Sequence, residues 1–465
     1  MAASASVRET DAKREWSLAL AGLIGAAAAS LALALVLTDE VVLSFDDLVF
    51  FGHAQGYELS NLLDPHGGHI VLGSRLLFAG AMDLLGPSDF AALTVLLRVF
   101  VVVTVVILFA LLSRRVRPLA ALAPCAVILF FGTSWTVSLG PGTLAVALCT
   151  AAGLGALLAL DADVDDRRGR RLAAGFLTVS VASWAGGLAF VAAVAARLAA
   201  EPGRTAPRLW VPALPLLLYI PWVLWKDPTG DQGGEISLSN LVSLFEVAAI
   251  SLSATIGGLL GVAYDSSSSA EVRVWVGAPF AALAVAGFAW RVSRRPLPPT
   301  LWGFIALLVS YWGLLALSQS ADREPDDARH LFFPALVVVL IGADLLRGVR
   351  ISAGALTALY AVTAISLAAN VSMLVNRGEY LRGHSETLRA EMSAIELERS
   401  RMPPDFLPLD HGGVMNIPAG DYLAAIDRYG SPVSAERDLA ASDPEVRAHA
   451  KRLISAAGGS RRETR

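Results

Sequence analysis

Two adjacent acids stand just beyond the first long apolar segment of the chain. Asp46 and Asp47 lie in the sequence Leu43-Ser-Phe-Asp-Asp-Leu48. A carboxylate at a membrane surface can act as a general base toward a hydroxyl group, and two carboxylates can bind a divalent cation with phosphate oxygens. The alternative is that these acids only keep the loop in water. Their apolar neighbours weaken that alternative, because a poorly solvated carboxylate pair needs a partner.

Two histidines follow in the same loop, in the sequence Asp64-Pro-His-Gly-Gly-His69. On a helix, His66 and His69 would have a spacing that could chelate a metal. The two glycines between them favour a loop, since glycine permits unusual backbone angles and close approach. In a loop, the histidines could donate hydrogen bonds to phosphate or sugar oxygens, or could simply cap the loop.

Two arginines are placed where a lipid phosphate could be bound. Arg75 begins an apolar helix along the membrane surface, and its planar guanidinium suits a phosphate, although it could equally extend to the lipid headgroups. Arg98 lies inside the second apolar segment. A charge at that depth is costly and usually faces a cavity or a partner, so Arg98 predicts either a functional cavity or a structural ion pair.

A second polar cluster occurs late in the chain, in Asp327-Ala-Arg-His-Leu-Phe-Phe-Pro334. Arg329 and His330 stand where the next apolar helix would enter the membrane. They could meet the first loop across a cavity and hold an anionic headgroup. The alternative is a solvated connection with an arginine at the interface.

The composition requires a membrane around these residues. The chain has 465 residues, of which 55% are hydrophobic and only 17% are charged. A soluble protein has about 25% charged residues and could not bury so much apolar surface. A net charge of −4 leaves no basic excess for nucleic acid. The excess of arginine over lysine, with abundant Ala, Val and Leu, suggests a GC-rich bacterial genome.

The predicted fold is therefore all-α, a polytopic transmembrane helix bundle. A bilayer core requires about 20 apolar residues for each helix. Clusters of Arg and Lys in the short loops fall on one side if the N-terminus is cytoplasmic. Apolar segments predict spans at 16–37, 90–112, 118–138, 141–160, 209–225, 274–292, 299–317, 331–347 and 351–373.

Two further apolar stretches, 172–200 and 241–263, allow two solutions. In the favoured one, 172–200 is a pair of short helices that break near Trp184-Ala-Gly-Gly187, and 241–263 lies along the outer face. In the other, each stretch crosses once. Both solutions give about eleven crossings and an extracytoplasmic C-terminus.

Three regions follow from this topology. Residues 1–15 form a cytoplasmic N-terminus, and 16–373 form the transmembrane domain, with 38–89 as its first outer loop. Residues 374–465 form a small extracytoplasmic helical domain. That tail begins with an amphipathic helix and contains a later helix that opens at Ser442-Asp-Pro-Glu445, where proline suits the first helical position. The amphipathic helix places on one face the residues Leu381, Leu388, Met392 and Ile395.

The membrane portion resembles the GT-C superfamily of integral-membrane glycosyltransferases. Asp46-Asp47 matches the acidic motif that this superfamily carries in its first outer loop. The run from Asp64 to Arg75 is similar to the gapped motif Asp…Pro…His…Gly-His…Pro-x-Arg of bacterial GT-C-like proteins, with Gly73 where proline is common. Asp-Ala-Arg-His-Leu-Phe-Phe-Pro334 is similar to their late Arg-Tyr-Phe…Pro motif, with His330 in the place of tyrosine.

The resemblance implies an inverting glycosyltransferase in the bacterial plasma membrane. The donor would be a polyprenyl-phosphate-linked sugar, and the acceptor an envelope glycan, lipid or protein outside the cytoplasm. Asp46 or Asp47 would be the catalytic base. No cofactor is certain, and a divalent cation (Mg²⁺ or Mn²⁺) is possible. The residues expected to bind the substrate or its lipid phosphate are His66, His69, Arg75, Arg98, Arg329 and His330.

Two other functions compete with this hypothesis. A transporter or flippase for a lipid-linked envelope precursor would place ionisable residues near the bilayer midplane and would often show paired repeats. Arg98 is the main charge deep in a span, and the sequence shows no repeat. A non-catalytic envelope scaffold would depend on the tail at 374–465 and not on Asp46 or Asp47.

Overall fold

The structure is a computed structural model, and all regular secondary structure in the part that it describes is helical, as predicted. The described residues are 2–53, 56–88, 90–161, 164–203, 206–227, 238–263, 273–318, 324–408 and 414–463. The helices are α1 (Ala2–Leu37), α2 (Asp46–His53), α3 (Leu59–Leu62), α4 (Leu72–Leu85), α5 (Phe90–Ser113), α6 (Pro118–Leu129), α7 (Trp135–Leu139), α8 (Leu144–Asp161), α9 (Arg167–Ser183), α10 (Gly187–Ala200), α11 (Trp210–Lys226), α12 (Leu244–Leu260), α13 (Val274–Arg294), α14 (Pro299–Leu317), α15 (Ala328–Leu345), α16 (Ala353–Leu397), α17 (Ala419–Tyr429), α18 (Ala435–Ala441) and α19 (Pro444–Glu463).

The described residues include nine helical segments that are long and apolar enough to cross a bilayer. Eight of the nine predicted spans coincide with them, and the ninth, at 209–225, is the shorter apolar helix α11. The protein is therefore a polytopic helical bundle. The nine segments are Lys13–Leu37, Phe90–Ser113, Pro118–Leu139, Pro141–Asp161, Asn240–Leu260, Val274–Arg294, Pro299–Leu317, Ala328–Leu345 and Ala353–Leu397.

Buried ion pairs join four helices at one end of the bundle, which we call the basic end. Arg115, just after α5, lies 2.7 Å from Asp161 at the end of α8 and 3.0 Å from Asp344 near the end of α15. Thr300, at the start of α14, donates to Asp344 at 2.8 Å. These contacts bring together the ends of α5, α8 and α15 and the start of α14. The predicted spans cross the membrane in alternating directions and would place the same four helix ends on one side. The opposite end carries the described residues 38–53 and 56–88, and we call it the loop end.

The stretch 172–200 forms two helices, as predicted. Helix α9 ends at Ser183, and α10 begins at Gly187. A Cβ atom on Gly187 would lie 2.5 Å from the main-chain nitrogen of Val181, so only glycine allows the chain to turn back this tightly. The chain after α10 comes back to the point where α9 begins, because Arg208, after α10, lies 2.7 Å from Asp165, before α9.

Helix α12 occupies most of the second ambiguous stretch, 241–263. Asn240, in the 3₁₀ turn before α12, donates to the carbonyl of Leu317 at 3.4 Å. Leu317 is the last residue of α14, which begins at the basic end. Helix α12 therefore begins at the loop end.

The other end of α12 reaches an interruption between α6 and α7. Asn370 of α16 donates to the carbonyl of Gly258 at 3.0 Å and accepts from the main-chain nitrogen of Thr133 at 3.3 Å. The neighbouring Ser134 donates to the carbonyl of Ala328, the first residue of α15, at 2.5 Å. Helix α12 therefore also ends near the loop end, although its length and composition would allow it to cross the membrane.

Helix α16 joins the membrane portion to the C-terminal region. It runs unbroken for 45 residues, or about 68 Å, so the predicted domain boundary at 373–374 falls inside a helix. A bilayer core is only about 30 Å thick, and the far half of α16 therefore extends beyond it. The predicted amphipathic face is buried, and α19 begins at Pro444 as predicted.

Helices α12 and α13 touch through small residues. A Cβ atom on Gly277 of α13 would lie 1.9 Å from the carbonyl oxygen of Ser253 and 3.2 Å from the Cα of Gly257. Membrane helices commonly use such small residues, because close backbone approach replaces the missing hydrophobic driving force. Gly287 lies on the same helix with open space around its Cα hydrogens.

Gly277→Ala is expected to destabilise the protein by about 1–3 kcal/mol, because the methyl group overlaps a backbone carbonyl that cannot move alone. Gly287→Ala is the matched control, and it should leave stability unchanged or raised. Thermal unfolding of both variants in the same detergent, followed by gel filtration, measures the difference. Equal melting temperatures for the two variants would contradict this packing.

Candidate functional site

The acidic pair opens helix α2 at the loop end of the bundle. Its two carboxylates have different environments: the Asp46 side chain is 51% exposed, whereas Asp47 is only 2% exposed. Phe45, the residue before them, has a φ of +50°, which is rare for a non-glycine residue. The local backbone therefore turns one acid outward and the other into the protein.

The two predicted loop histidines form a tight hairpin. His66 and His69 exchange main-chain hydrogen bonds of 2.9 and 3.0 Å, and the intervening Gly67 and Gly68 have φ values of +55° and +79°. Positive φ at both central residues is the signature of a type I′ turn, so the glycines make a loop, as predicted. The hairpin brings His66 Nε2 to 3.4 Å from Asp46 Oδ1.

Electrostatics separate the two acids further. Burial opposes ionisation of Asp46, but the hydrogen bond and charge of His66, with the charges of Arg329 and His69, outweigh it and lower the Asp46 pKa. Burial and the neighbouring charge of Asp46 raise the pKa of Asp47 well above 3.8. Asp46 therefore ionises more readily than an ordinary aspartate, and Asp47 ionises less readily.

The segment Pro141–Asp161, which contains α8 and which we call the α8 segment, begins directly against the pair. A Cβ atom on Gly142 would lie 2.6 Å from the Cβ of Asp46 and 3.1 Å from Oδ1 of Asp47. The main-chain N–H groups of Gly142 and Ser44 partly offset the rise in the Asp47 pKa. Gly142 is thus a residue of this site that the sequence analysis did not identify, and only its place after a helix-breaking Gly-Pro could have signalled it.

The late cluster lies at the start of α15. Asp327 caps this helix by accepting from the main-chain nitrogen of Arg329 at 3.2 Å, and its carboxylate lies 3.0 Å from the Arg329 guanidinium. The Arg329 charge contributes to the lowered pKa of Asp46, so the late cluster lies within electrostatic range of the first loop. His330 is buried, and its carbonyl accepts from the hydroxyl of Tyr311 at 3.1 Å.

Aromatic side chains form the wall behind the hairpin. His69 meets Trp184 edge-on at 6.0 Å, and Trp184 is 6.0 Å from Tyr311, which stacks on Phe333 at 4.3 Å. Trp184 stands at the break between α9 and α10. The paired short helices therefore help to form the site, because their break carries the ring against which His69 packs.

The other two predicted arginines have different surroundings. Arg75 is buried at a narrow cavity that Phe50 and Phe78 also line, and it donates to the carbonyl of Asn61. Arg98 is buried within α5 and donates to the carbonyl of Leu129, at the end of α6, at 2.8 Å. Its second carbonyl contact is with Ser138, at 3.4 Å. In this structure Arg98 holds the interrupted helix, and its described contacts are neither an ion pair nor a ligand pocket.

The C-terminal region packs against Phe45 and Phe51, which lie on either side of the acidic pair in the chain. Phe45 stacks on His384 of α16 with ring centres 4.7 Å apart and ring planes 1° apart. The side-chain amide of Asn416 donates to the carbonyl of Phe45 at 3.3 Å, and Phe51 packs 6.2 Å from Tyr422 of α17. The sequence analysis treated this region as separate, because residues so far apart in the chain carry no local signal of contact.

Comparison with models of known protein families and with curated proteins finds no match. Among the described residues, no group of three His, Cys, Asp or Glu side chains comes together as a metal site. The function must therefore be argued from the geometry of the acidic pair and its neighbours.

The two acids predict opposite effects on stability. An unfolded aspartate ionises near pH 3.8, whereas folded Asp47 stays protonated to higher pH, so Asp47 costs stability as pH rises above 3.8. Asp47→Asn should therefore raise the melting temperature at pH 7, and the gain should shrink toward pH 3.5. Folded Asp46 ionises more readily than the unfolded residue, so its contribution is present above pH 3.8 and is lost as pH falls through its folded pKa.

Asp46→Asn is the matched control. It should leave the melting temperature at pH 7 unchanged or slightly lower, because the Asp46 side chain is half exposed and solvent weakens its interactions. Melting curves at several pH values between 3.5 and 8 provide the measurement. A lower melting temperature for Asp47→Asn at pH 7 would contradict the raised pKa of Asp47.

Proposed function

We propose that the protein is a membrane glycosyltransferase that moves a sugar from a polyprenyl-phosphate donor to an extracytoplasmic envelope acceptor. The observation that carries this proposal is the pair of adjacent carboxylates whose environments push their pKa values in opposite directions. Acid–base sites typically separate two carboxylates in this way. The resemblance of the first loop and the late cluster to GT-C glycosyltransferases supplies the reaction.

Asp46 is the base of the proposed reaction. It is ionised, half exposed and directed by His66 at 3.4 Å, so it can accept the proton of an acceptor hydroxyl. That oxygen then attacks the anomeric carbon with inversion, and the bond from the anomeric carbon to the lipid phosphate breaks. Asp47 is buried and its pKa is raised, so it is not the base, and its role is to hold the start of α2 against Gly142.

The leaving phosphate needs positive charge beside the base. Arg329 and the hairpin histidines act electrostatically on Asp46, and donors in fixed positions stabilise developing negative charge most effectively. Arg75, at the cavity beside Phe50, is suited to the phosphate on the lipid side. His330 lies next to Arg329 and fixes the first turn of α15 through its carbonyl.

The experiment is a transfer assay with purified protein in lipid. A panel of radiolabelled polyprenyl-phosphate sugars is incubated with a crude envelope acceptor fraction. Asp46→Asn should lower donor consumption by about 10²–10⁴-fold, the usual contribution of a general base. Asp47→Asn should retain activity within about tenfold, because an amide resembles a protonated carboxyl group in shape.

Asp39→Asn is the matched control, since Asp39 is an exposed acid in the same loop and should leave activity unchanged. Gel filtration verifies the fold of all three variants. Unchanged activity in Asp46→Asn would remove this acid from the mechanism. Absence of turnover with every donor, together with undiminished transport of a lipid-linked precursor in Asp46→Asn, would favour the flippase instead.

A further inference from the structure

Phe45 combines features that packing alone does not explain. It has the left-handed φ of +50°, although a bulky residue in that region is strained. Its side chain is nevertheless 44% exposed, so the strain does not serve to bury an apolar ring. Phe45 also comes directly before Asp46, the ionised acid.

The C-terminal region holds Phe45 in this conformation from two directions. One face of the ring lies parallel to His384 at 4.7 Å, and His384 in turn stacks on Tyr380 at 6.0 Å. The carbonyl of Phe45 accepts from the amide of Asn416 at 3.3 Å. Ring and backbone are therefore both fixed before any ligand arrives, which is the arrangement expected of a recognition residue.

We infer that Phe45 is a stacking platform for a saccharide ring, which it holds beside Asp46. The face of an aromatic ring carries negative charge density, and the C–H groups along one face of a sugar ring are weakly positive, so the two surfaces attract. A sugar on the exposed side of Phe45 would have its hydroxyl groups next to the ionised carboxylate. The inference rests on the proposed function, for which it identifies the acceptor subsite.

The test measures binding directly and needs no turnover. The protein in lipid nanodiscs is mixed with methyl glycosides of glucose, mannose, galactose, N-acetylglucosamine and arabinofuranose, and saturation-transfer NMR detects contact. At least one glycoside should bind to the wild type. Phe45→Leu should weaken that binding about tenfold, whereas Phe45→Tyr, which keeps the ring, should retain it.

Phe245→Leu is the matched control, because Phe245 is 86% exposed on α12 and should not affect glycoside binding. Thermal unfolding verifies that Phe45→Leu folds. Absence of binding for every glycoside, or equal binding in Phe45→Leu and wild type, would overturn the inference and leave Phe45 as a contact with lipid. An equal loss of glycoside binding in Phe45→Tyr and Phe45→Leu would also overturn the inference.

The two proposals fail in different ways. If glycoside binding depends on Phe45 but Asp46→Asn keeps full donor turnover, the saccharide site stands and the proposed base does not. If donor turnover depends on Asp46 but glycoside binding does not depend on Phe45, the proposed reaction stands and the stacking platform does not. In a working transfer assay, Phe45→Leu should raise the KM for the acceptor about tenfold while the KM for the donor stays constant.

Discussion

The break between α6 and α7, which interrupts the candidate span Pro118–Leu139, imposes the constraint on which this structure depends. No water is present in the bilayer core, so each carbonyl or N–H group released by a break must find a partner within the protein. Arg98 supplies donors to the carbonyls of Leu129 and Ser138, and Asn370 serves both Thr133 and Gly258. Because these backbone groups have hydrogen-bond partners, the α8 segment can begin at Pro141 against the acidic pair.

The chemistry at the loop end follows from that arrangement. Gly142 lies so close to the pair that Asp47 loses contact with water, while Asp46 remains half exposed beside His66. One Asp-Asp dipeptide thus provides two carboxyl groups whose pKa values are shifted in opposite directions. Neither residue type nor spacing creates that difference in pKa. It depends on the acidic pair, the His66 hairpin and the turn at Gly142, which meet at the start of α2.

The sequence predicted the parts of the structure that depend on local pattern. Apolar runs identified the spans, two glycines identified the hairpin turn between His66 and His69, and Trp184 was correctly placed at a helix break. The contacts of Asn370, Gly142 and Asn416 were not predictable, because they join segments far apart in the chain. An asparagine within an apolar run was a visible signal of a buried polar partner, but it did not identify that partner.

The hydrogen bond between Phe45 and Asn416 joins residues that are far apart in the sequence, and this affects when the structure can form during synthesis. These residues are separated by 371 positions, and chains are synthesised from the N-terminus. The first loop therefore leaves the ribosome long before the segment that fixes its backbone, and the acidic pair lacks its final geometry until the chain has been made as far as Asn416. Assembly of this part of the structure therefore comes late in synthesis.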